Sequence, residues 1–422
     1  MPLRDDPRAA GLAPSGLHGD QIALLDESLR LLGTDADEVV AQFYATLFAQ
    51  APHLRALFPP EMYVQRDRLV RGLLRIVALL HDPAGLEALL HRLGSDHRTF
   101  GVRPEDYEQF TRVLIATLRH HQRDIWLDEL EEAWTRALDI VSRLMVEGAQ
   151  ESARVQPAWW RAEIIAHERR TEDLAVIVAQ PDRPYAYRAG QYATLETPHR
   201  PRSRRPYSLA TAPSPDGLLE FHVRALGAGW VSGALVRQAR VGDVLRLGSP
   251  RGEMRIDQHS RRDVLAVAGG TGLAPIKALV DDMAKWNTSR AVTVFFGARR
   301  ADDLYDLPAL ERMASVHPWL HVVPAVSDDR AYAGERGMLP EVVLRHGRWT
   351  EHDVVVSGPA RMTRATFRRL TGAGVPAERI AVDPVDGAHP AAAKVIDLRG
   401  HQRGSVRRRG PRSADGIGRP RR

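Results

Sequence analysis

The spacing of apolar residues changes twice along this chain, near Pro157 and again near Asp263, and each change marks a different kind of secondary structure. Before the first change, apolar side chains recur three and four positions apart. The first such run is Ile22, Leu25, Leu29 and Leu32. This period is typical of an amphipathic helix, and β-type alternation is nearly absent. We therefore predict an all-helical domain over residues 18–153.

Two further domains are expected after this helical region. Residues 158–256 contain short segments of alternating polar and apolar residues bounded by Pro, Gly or Asp, which predicts a small antiparallel β-barrel. In residues 263–386, apolar strands such as Val264–Ala268 alternate with helical stretches such as Ala274–Lys285. This alternation predicts an α/β domain with a parallel sheet. The expected fold is thus multidomain: all-α, then antiparallel β, then parallel α/β.

The net charge of +6 has its origin in the C-terminal segment. Residues 387–422 contain ten Lys and Arg and two Asp, which leaves the preceding 386 residues with a net charge of −2. The segment is rich in Gly, Pro and Arg and has no apolar period, so we predict a disordered basic tail. Nucleic-acid binding by the folded part is not indicated.

The location and redox chemistry of the chain are also constrained by its composition. No run of 18 apolar residues is present and Met1–Asp20 has no apolar signal region, so a cytoplasmic protein without an integral membrane segment is expected. The chain has no cysteine. Disulfides, cysteine-ligated iron–sulfur clusters and thiolate-ligated haem are therefore excluded, and any metal needs His, carboxylate or another non-thiolate ligand. The oligomeric state stays open.

A series of short motifs follows in the second and third domains. In chain order they are Ala189–Tyr192, Arg205–Ser208, Gly227–Ser232, Val241–Asp243, Gly269–Pro275 and Ser357–Pro359. In the second of these, an aromatic ring can stack on a flavin, an Arg can pair with a pyrophosphate, and a Ser can hydrogen bond the flavin edge. The Gly269–Pro275 loop follows an apolar strand and opens a helix, so its backbone N–H groups can bind a phosphate.

In this order the motifs resemble those of the ferredoxin-NADP reductase family, over residues 158–386. The resemblance implies FAD and NAD(P)H as cofactors. The implied FAD-binding residues are Tyr192, Arg205, Tyr207, Ser208, Gly229, Val231 and Ser232. The implied NAD(P)H-binding residues are Gly270, Thr271, Gly272, Ser357, Gly358 and Pro359.

Two positions depart from that family. Ser357 stands where the family has Cys, and the family's terminal aromatic shield over the flavin is not evident in Val382–Asp386. Both changes leave open the rate of hydride transfer and the exposure of the flavin to oxygen. The preference between NADH and NADPH is also open, since Arg299 and Arg300 could pair with a 2′-phosphate or be solvated loop charges.

The helical domain is the expected partner of the reductase. Without cysteine, haem held by a His is the natural second redox centre. His97 is the preferred ligand because Tyr107 lies ten residues later, in the expected next helix, and His91, His120 and His121 are its rivals. Gln65 and Leu69 share one helix face by their spacing of four.

The helical domain resembles the globin of the bacterial flavohaemoglobins, and the three domains have the order of that family. The resemblance implies haem b with His97 as the axial iron ligand, and Tyr107 and Glu151 as its proximal partners. It also places Tyr44 and Gln65 on the distal side. Phe58 and Leu69 would complete the haem pocket.

The function implied by this resemblance is nitric oxide dioxygenation. NO and O₂ would be converted to nitrate, with electrons passed from NAD(P)H through FAD to haem. Two alternatives stay open. One is an NAD(P)H oxidase or haem reductase that makes superoxide or peroxide, and the other is an oxygen or redox sensor that signals through the basic tail.

Overall fold

The computed structural model describes residues 16–59, 62–227 and 229–383. The predicted disordered tail, residues 387–422, and the last residues of the predicted α/β domain lie outside these ranges. No helix in the described ranges has both the length and the apolarity needed to cross a membrane.

The first domain is helical, as predicted. Its helices within the described residues are α1 (Gly19–Leu32), α2 (Ala36–Gln50), α3 (Tyr63–Ala78), α4 (Pro83–Arg98), α5 (Pro104–His121) and α6 (Asp128–Val155). Pro83 and Pro104 each occupy the first position of a helix, where a missing N–H costs nothing. The core includes Phe43 and Trp134, which are fully buried.

Helices α4 and α6 pack at very short range because each contributes a glycine to the contact. A Cβ atom at Gly94 would lie 1.9 Å from the backbone oxygen of Met145, and one at Gly148 would lie 2.2 Å from the Cα of His91. Any larger side chain would force the helices apart. This close contact fixes the position of α4, which carries His97.

The second domain is the predicted antiparallel sheet. It consists of β1 (Trp160–Thr171), β2 (Leu174–Pro181), β3 (Tyr192–Glu196), β4 (Arg205–Ser208), β5 (Leu219–Arg224), helix α7 (Trp230–Arg237) and β6 (Val244–Leu247). The strands have the order β4-β3-β6-β1-β2-β5, and neighbouring strands are antiparallel. An antiparallel bridge between Leu209 and Phe221 joins the two ends, so the sheet curls on itself.

The third domain is a parallel sheet flanked by helices. Its elements are β7 (Val264–Gly269), α8 (Leu273–Met283), β8 (Val292–Ala298), α9 (Leu307–Val316), β9 (Leu320–Val326), β10 (Glu335–Arg336), α10 (Leu339–Arg345), β11 (Asp353–Ser357), α11 (Ala360–Gly372) and β12 (Ile380–Val382). The strand order β10-β9-β8-β7-β11-β12 reverses direction between β7 and β11. Ligands of such sheets bind where the order reverses, at the carboxyl ends of the strands. Two of the predicted motifs follow β7 and β11.

Candidate functional site

The helical domain encloses a cavity of about 650 Å³, which is within the usual range for sites that bind small organic ligands. Most of its lining is apolar and comes from helices α2 to α6. The polar side chains of Tyr44, Gln65 and His97 also line it. The structure thus brings the predicted distal residues and the predicted iron ligand to one cavity.

His97 has the protonation state that a metal ligand needs. Its Nδ1 lies 2.7 Å from the backbone oxygen of Leu93, and because that oxygen can only accept, Nδ1 carries the proton. The lone pair of Nε2 is then available to a metal. Burial lowers the pKa of His97 and favours this neutral form. The donor chemistry of the cavity therefore fits haem iron.

The predicted distal residues are in mutual contact. Tyr44 is almost fully buried and its hydroxyl hydrogen bonds the side chain of Gln65. Burial raises the pKa of Tyr44 to about 12, against the lowering effect of the Gln65 bond, so the hydroxyl stays protonated and can donate to a ligand. Phe58 packs edge-on against Tyr44 with ring centroids 5.4 Å apart. Leu69 lines the same cavity.

Of the two residues predicted to surround His97 on the proximal side, Tyr107 lies near it and Glu151 does not. Tyr107 lines the cavity, and its ring centroid is 6.4 Å from that of His97. Glu151 is a correction to the sequence analysis, because its carboxylate pairs with Nδ1 of His91 at 3.3 Å and its side chain is 70% exposed. His91 precedes His97 by six residues, or about 9 Å along α4. The register of α4 against α6 therefore places Glu151 beside the wrong histidine for the predicted role.

The predicted FAD residues occupy adjacent strands and the start of α7. Tyr192 on β3 is the register partner of Ser208 on β4, which also carries Arg205 and Tyr207. Burial raises the pKa of Tyr207, so its hydroxyl remains neutral. The residue before α7 is Gly229, and the hydroxyl of Ser232 donates to its backbone oxygen at 3.2 Å.

The predicted FAD residues also reach the cavity in the helical domain. Arg205, Gly229 and Val231 form part of its lining. An arginine beside the N-terminus of α7 fits the anionic pyrophosphate of a flavin nucleotide, and this position puts such a nucleotide beside the cavity.

The two predicted nucleotide motifs touch each other through their backbones. Gly270, Thr271 and Gly272 form a 3₁₀ turn between β7 and α8. Ser357 is the last residue of β11, and Gly358 and Pro359 connect it to α11. A Cβ atom at Gly272 would stand 2.4 Å from the backbone nitrogen of Gly358, and Gly270 has a positive φ of 54°. Only glycine permits this approach. The exposed backbone at this edge fits a dinucleotide phosphate.

Asp383 is a residue that the sequence analysis did not select. Its Oδ2 accepts hydrogen bonds from the hydroxyls of Ser208 at 3.4 Å and Ser357 at 3.2 Å. Burial raises the pKa of this carboxyl, against the lowering effect of the two serines. Asp383 thus joins the predicted flavin motif to the predicted nicotinamide motif. It follows β12, and only the tertiary fold brings it to both serines.

We expect Asp383→Ala to slow the reduction of FAD by NAD(P)H. Without the carboxylate, Ser208 and Ser357 lose the group that holds them together, and the two cofactors are less well aligned. A tenfold decrease in the rate, about 1.4 kcal/mol in activation free energy, is expected in anaerobic stopped-flow measurements. Asp383→Asn keeps one acceptor oxygen and serves as the matched control with a smaller effect. An unchanged rate in the alanine variant would contradict a positioning role.

Two arginines of the β-barrel bind the end of α4 near His97, and the sequence analysis did not select either of them as a site residue. Arg204 lies directly before β4, its guanidinium donates to the backbone oxygen of Thr99 at 2.8 Å, and it stacks over Phe100 at 4.4 Å. Arg251 forms an ion pair with Asp96. The end of α4 and the flavin motif are therefore held in fixed contact.

Comparisons with known protein families agree with this three-domain reading. The sequence model of the globin family matches residues 41–145, that of the oxidoreductase FAD-binding domain matches residues 161–256, and that of the oxidoreductase NAD-binding domain matches residues 266–368. The chain is 33% identical over 226 residues to the xylene/toluene monooxygenase electron transfer component of Pseudomonas putida. That match covers 52% of this chain and 63% of the relative, less than two thirds of its length.

Other relatives cover nearly the whole chain. A flavohaemoprotein of Deinococcus radiodurans is 27% identical over 391 residues, which is 85% of this chain and 94% of the relative. The crystal structure of a flavohaemoglobin from Malassezia yamatoensis, with bound FAD and haem, has the same fold. It matches with a TM-score of 0.71 at 18% identity and covers 88% of this chain and 99% of the other.

These matches establish the cofactor classes as haem, FAD and a nicotinamide nucleotide. They also account for the order of the helical, antiparallel and parallel domains. This chain thus has a globin domain followed by an FAD-binding and an NAD-binding reductase domain, and it is similar over 85% of its length to a flavohaemoprotein.

Proposed function

We propose that this protein is a nitric oxide dioxygenase that uses NAD(P)H and O₂ in the cytoplasm. Each turnover converts one NO and one O₂, with one electron, to nitrate. The observation that carries the proposal is the shared cavity: His97, Tyr44 and Gln65 line it together with Arg205, Gly229 and Val231 of the flavin motif. Electrons from the reductase can therefore be delivered at the place where the diatomic ligands bind.

The side chains of the cavity have separate roles in this proposal. Haem supplies an iron that binds diatomic ligands, and FAD divides hydride equivalents into single electrons. His97 provides the neutral imidazole. The buried Tyr44 hydroxyl, oriented by Gln65, donates a hydrogen bond to negative charge that develops on the ligand. Phe58 and Leu69 exclude water from the same side.

The test is a measurement of NO consumption by the purified protein after loading with haem and FAD. We expect NO loss that requires both O₂ and NAD(P)H and yields nitrate in equal amount. Rapid O₂ consumption without NO, with superoxide or peroxide as the product, would instead support the oxidase alternative. Absence of either activity in protein that shows a haem absorption band would contradict the dioxygenase.

A Tyr44→Phe variant tests the proposed distal hydrogen bond. The change removes the hydroxyl and keeps the ring that packs against Phe58. We expect O₂ to dissociate from the reduced protein roughly tenfold faster and NO consumption at low O₂ to fall by a similar factor, as for the loss of one hydrogen bond of about 1.4 kcal/mol. Tyr332→Phe, in the α/β domain, is the control and should leave both rates unchanged. Equal O₂ dissociation in both variants would refute the role of Tyr44.

A further inference from the structure

The end of α4, which carries His97, is held by a chain of contacts that begins inside the β-barrel. Glu196, the last residue of β3, accepts a hydrogen bond from Nε of Arg204 at 2.9 Å. This ion pair is buried, since the two side chains are only 6% and 13% exposed. The guanidinium of Arg204 then donates to the backbone oxygen of Thr99 and stacks over the ring of Phe100. A buried ion pair of the barrel therefore ends on the two residues that follow α4.

Phe100 continues this chain of contacts to the predicted iron ligand. Its ring and the imidazole of His97 meet edge to face, with centroids 6.4 Å apart and planes at 74°. This distance is within the usual range for an aromatic pair. The backbone N–H of Phe100 also donates to the backbone oxygen of His97 at 3.0 Å. A displacement of Arg204 therefore reaches the His97 ring through one intervening side chain.

The tilt of the His97 ring depends on these neighbours because it has few other restraints. The one hydrogen bond to the ring from the described residues comes from within α4, where Nδ1 donates to the backbone oxygen of Leu93. Glu151, which was predicted beside the ring, pairs with a different histidine. A ring held by one hydrogen bond can still tilt, and the rings of Phe100 and Tyr107 limit that tilt.

The strands that supply this ion pair also carry predicted FAD residues. Tyr192 lies on β3 with Glu196, and Tyr207 lies on β4, which begins directly after Arg204. The FAD site and the His97 ring are thus connected by one short path of contacts. We propose that Glu196 and Arg204 are positioning residues that set the tilt of the His97 ring and make it respond to occupancy of the FAD site.

This inference rests on haem in the cavity with His97 as its ligand, and it holds whichever reaction the haem supports. The test is the resonance Raman band of the iron–histidine stretch in the full-length protein, loaded with haem and reduced by dithionite. The band reports the tilt of the imidazole and the strength of its bond to iron. We expect saturating FAD to shift the band in wild type. The shift should be lost in Arg204→Gln, with haem content and FAD absorbance as in wild type.

The matched control is Arg246→Gln. Arg246 lies 3.6 Å from the same Glu196 carboxylate, but it has no hydrogen bond or ion pair with α4 in the described part of the chain, so its FAD response should equal that of wild type. Arg204→Gln leaves Glu196 buried without its closer cation, which can impair folding. The double variant Glu196→Gln, Arg204→Gln removes both charges and should also lose the response. Arg204→Lys keeps the charge without the planar group over Phe100 and should restore only part of it.

Other outcomes overturn the proposal, and they are separate from failure of the proposed function. A wild-type shift in Arg204→Gln and in the double variant would assign the coupling to another contact, such as the ion pair of Arg251 with Asp96. A band that ignores FAD in wild type would show that the two sites are not coupled. Equal loss of the shift in Arg246→Gln would assign the effect to the barrel and not to its contact with α4. If wild type shows the band and its FAD response but consumes no NO, the proposed function alone fails.

Discussion

Replacing His97 by alanine is expected to abolish the absorption band of histidine-ligated haem and to reduce NO consumption to background. His97 lines the same cavity as Tyr44 and Gln65, and its Nδ1 proton is already held by the backbone oxygen of Leu93. No other histidine lines this cavity in the described residues. The alanine variant therefore has no replacement ligand, and the effect should exceed that of any distal substitution.

Addition of imidazole makes this prediction specific to ligation. The cavity left by His97→Ala can admit free imidazole, which should restore part of the absorption band and of the activity. Reduction of FAD by NAD(P)H takes place in the other two domains, so its rate should remain unchanged and show that the chain is folded. Imidazole has no such effect if His97 only supports the fold.

His91→Ala is the matched control on the same helix. His91 was the rival ligand in the sequence analysis, but in the structure its Nδ1 pairs with Glu151, and it is not part of the cavity lining. We expect a wild-type haem spectrum in this variant. Loss of the band from His91→Ala, together with its retention in His97→Ala, would reverse the assignment.

The domain order could be predicted from sequence because each fold class has its own apolar period. The three- and four-residue spacing of apolar side chains that is typical of helices stops near Pro157. The run of apolar residues at Val264–Gly269 is a fully buried strand, the first of the parallel sheet. Tyr44 and Gln65 were selected through the resemblance to a known globin family, and the spacing of four between Gln65 and Leu69 placed these two on one helix face. All of these signals are local along the chain.

The contacts that the sequence analysis did not predict depend on how distant elements pack together. Local sequence patterns do not determine this packing. Glu151 was predicted beside His97, but the close approach of α4 and α6 at Gly94 and Gly148 aligns it with His91. The bridge from Asp383 to Ser208 spans 175 positions. No spacing rule connects residues so far apart.

A buried polar cluster joins the barrel to the α/β domain. The ammonium of Lys277 on α8 lies 2.8 Å from Oε1 of Glu220 and 2.8 Å from Oδ2 of Asp306. His222, fully buried on β5, contacts Glu220 at 2.9 Å through Nε2 and the hydroxyl of Tyr305 at 2.7 Å through Nδ1. The cluster holds the flavin-binding domain against the nucleotide-binding domain, and Lys277 is the cation that contacts both of its carboxylates.

Lys277→Met is expected to lower the free energy of unfolding by about 3–5 kcal/mol at neutral pH, the usual cost of removing one partner from a buried ion pair. Two carboxylates would remain buried without their cation. The docking of the two domains should weaken, and FAD reduction by NAD(P)H should slow with it. Lys285→Met is the control, because Lys285 only donates to the backbone oxygen of Pro213 at the surface. Its effect should stay within about 0.5 kcal/mol.

The pH dependence of this deficit tests its electrostatic origin. Burial alone would raise the pKa of Glu220, but the hydrogen bonds and charges of His222 and Lys277 outweigh it and lower the pKa from 4.5 to about 2. A lowered carboxyl pKa stabilises the fold above pH 4.5, and this stabilisation is lost as the pH falls toward 2. The difference in stability between wild type and Lys277→Met should therefore be largest at neutral pH and shrink in acid. A difference that is constant from pH 7 to pH 3 would point to lost packing.

Zinc offers a second measurement on the same variant. Glu220, His222 and Asp306 each present one ligand atom, and these atoms lie within 4.8 Å of one another. In the wild type, the Lys277 ammonium contacts both carboxylates and supplies the positive charge that a metal would bring. Without it, the set matches the His and carboxylate ligands that Zn²⁺ accepts. We expect Zn²⁺ to raise the melting temperature of Lys277→Met and to leave that of wild type unchanged. If Zn²⁺ raises neither, the carboxylates have moved apart in the variant, and Lys277 is what holds the two domains in register.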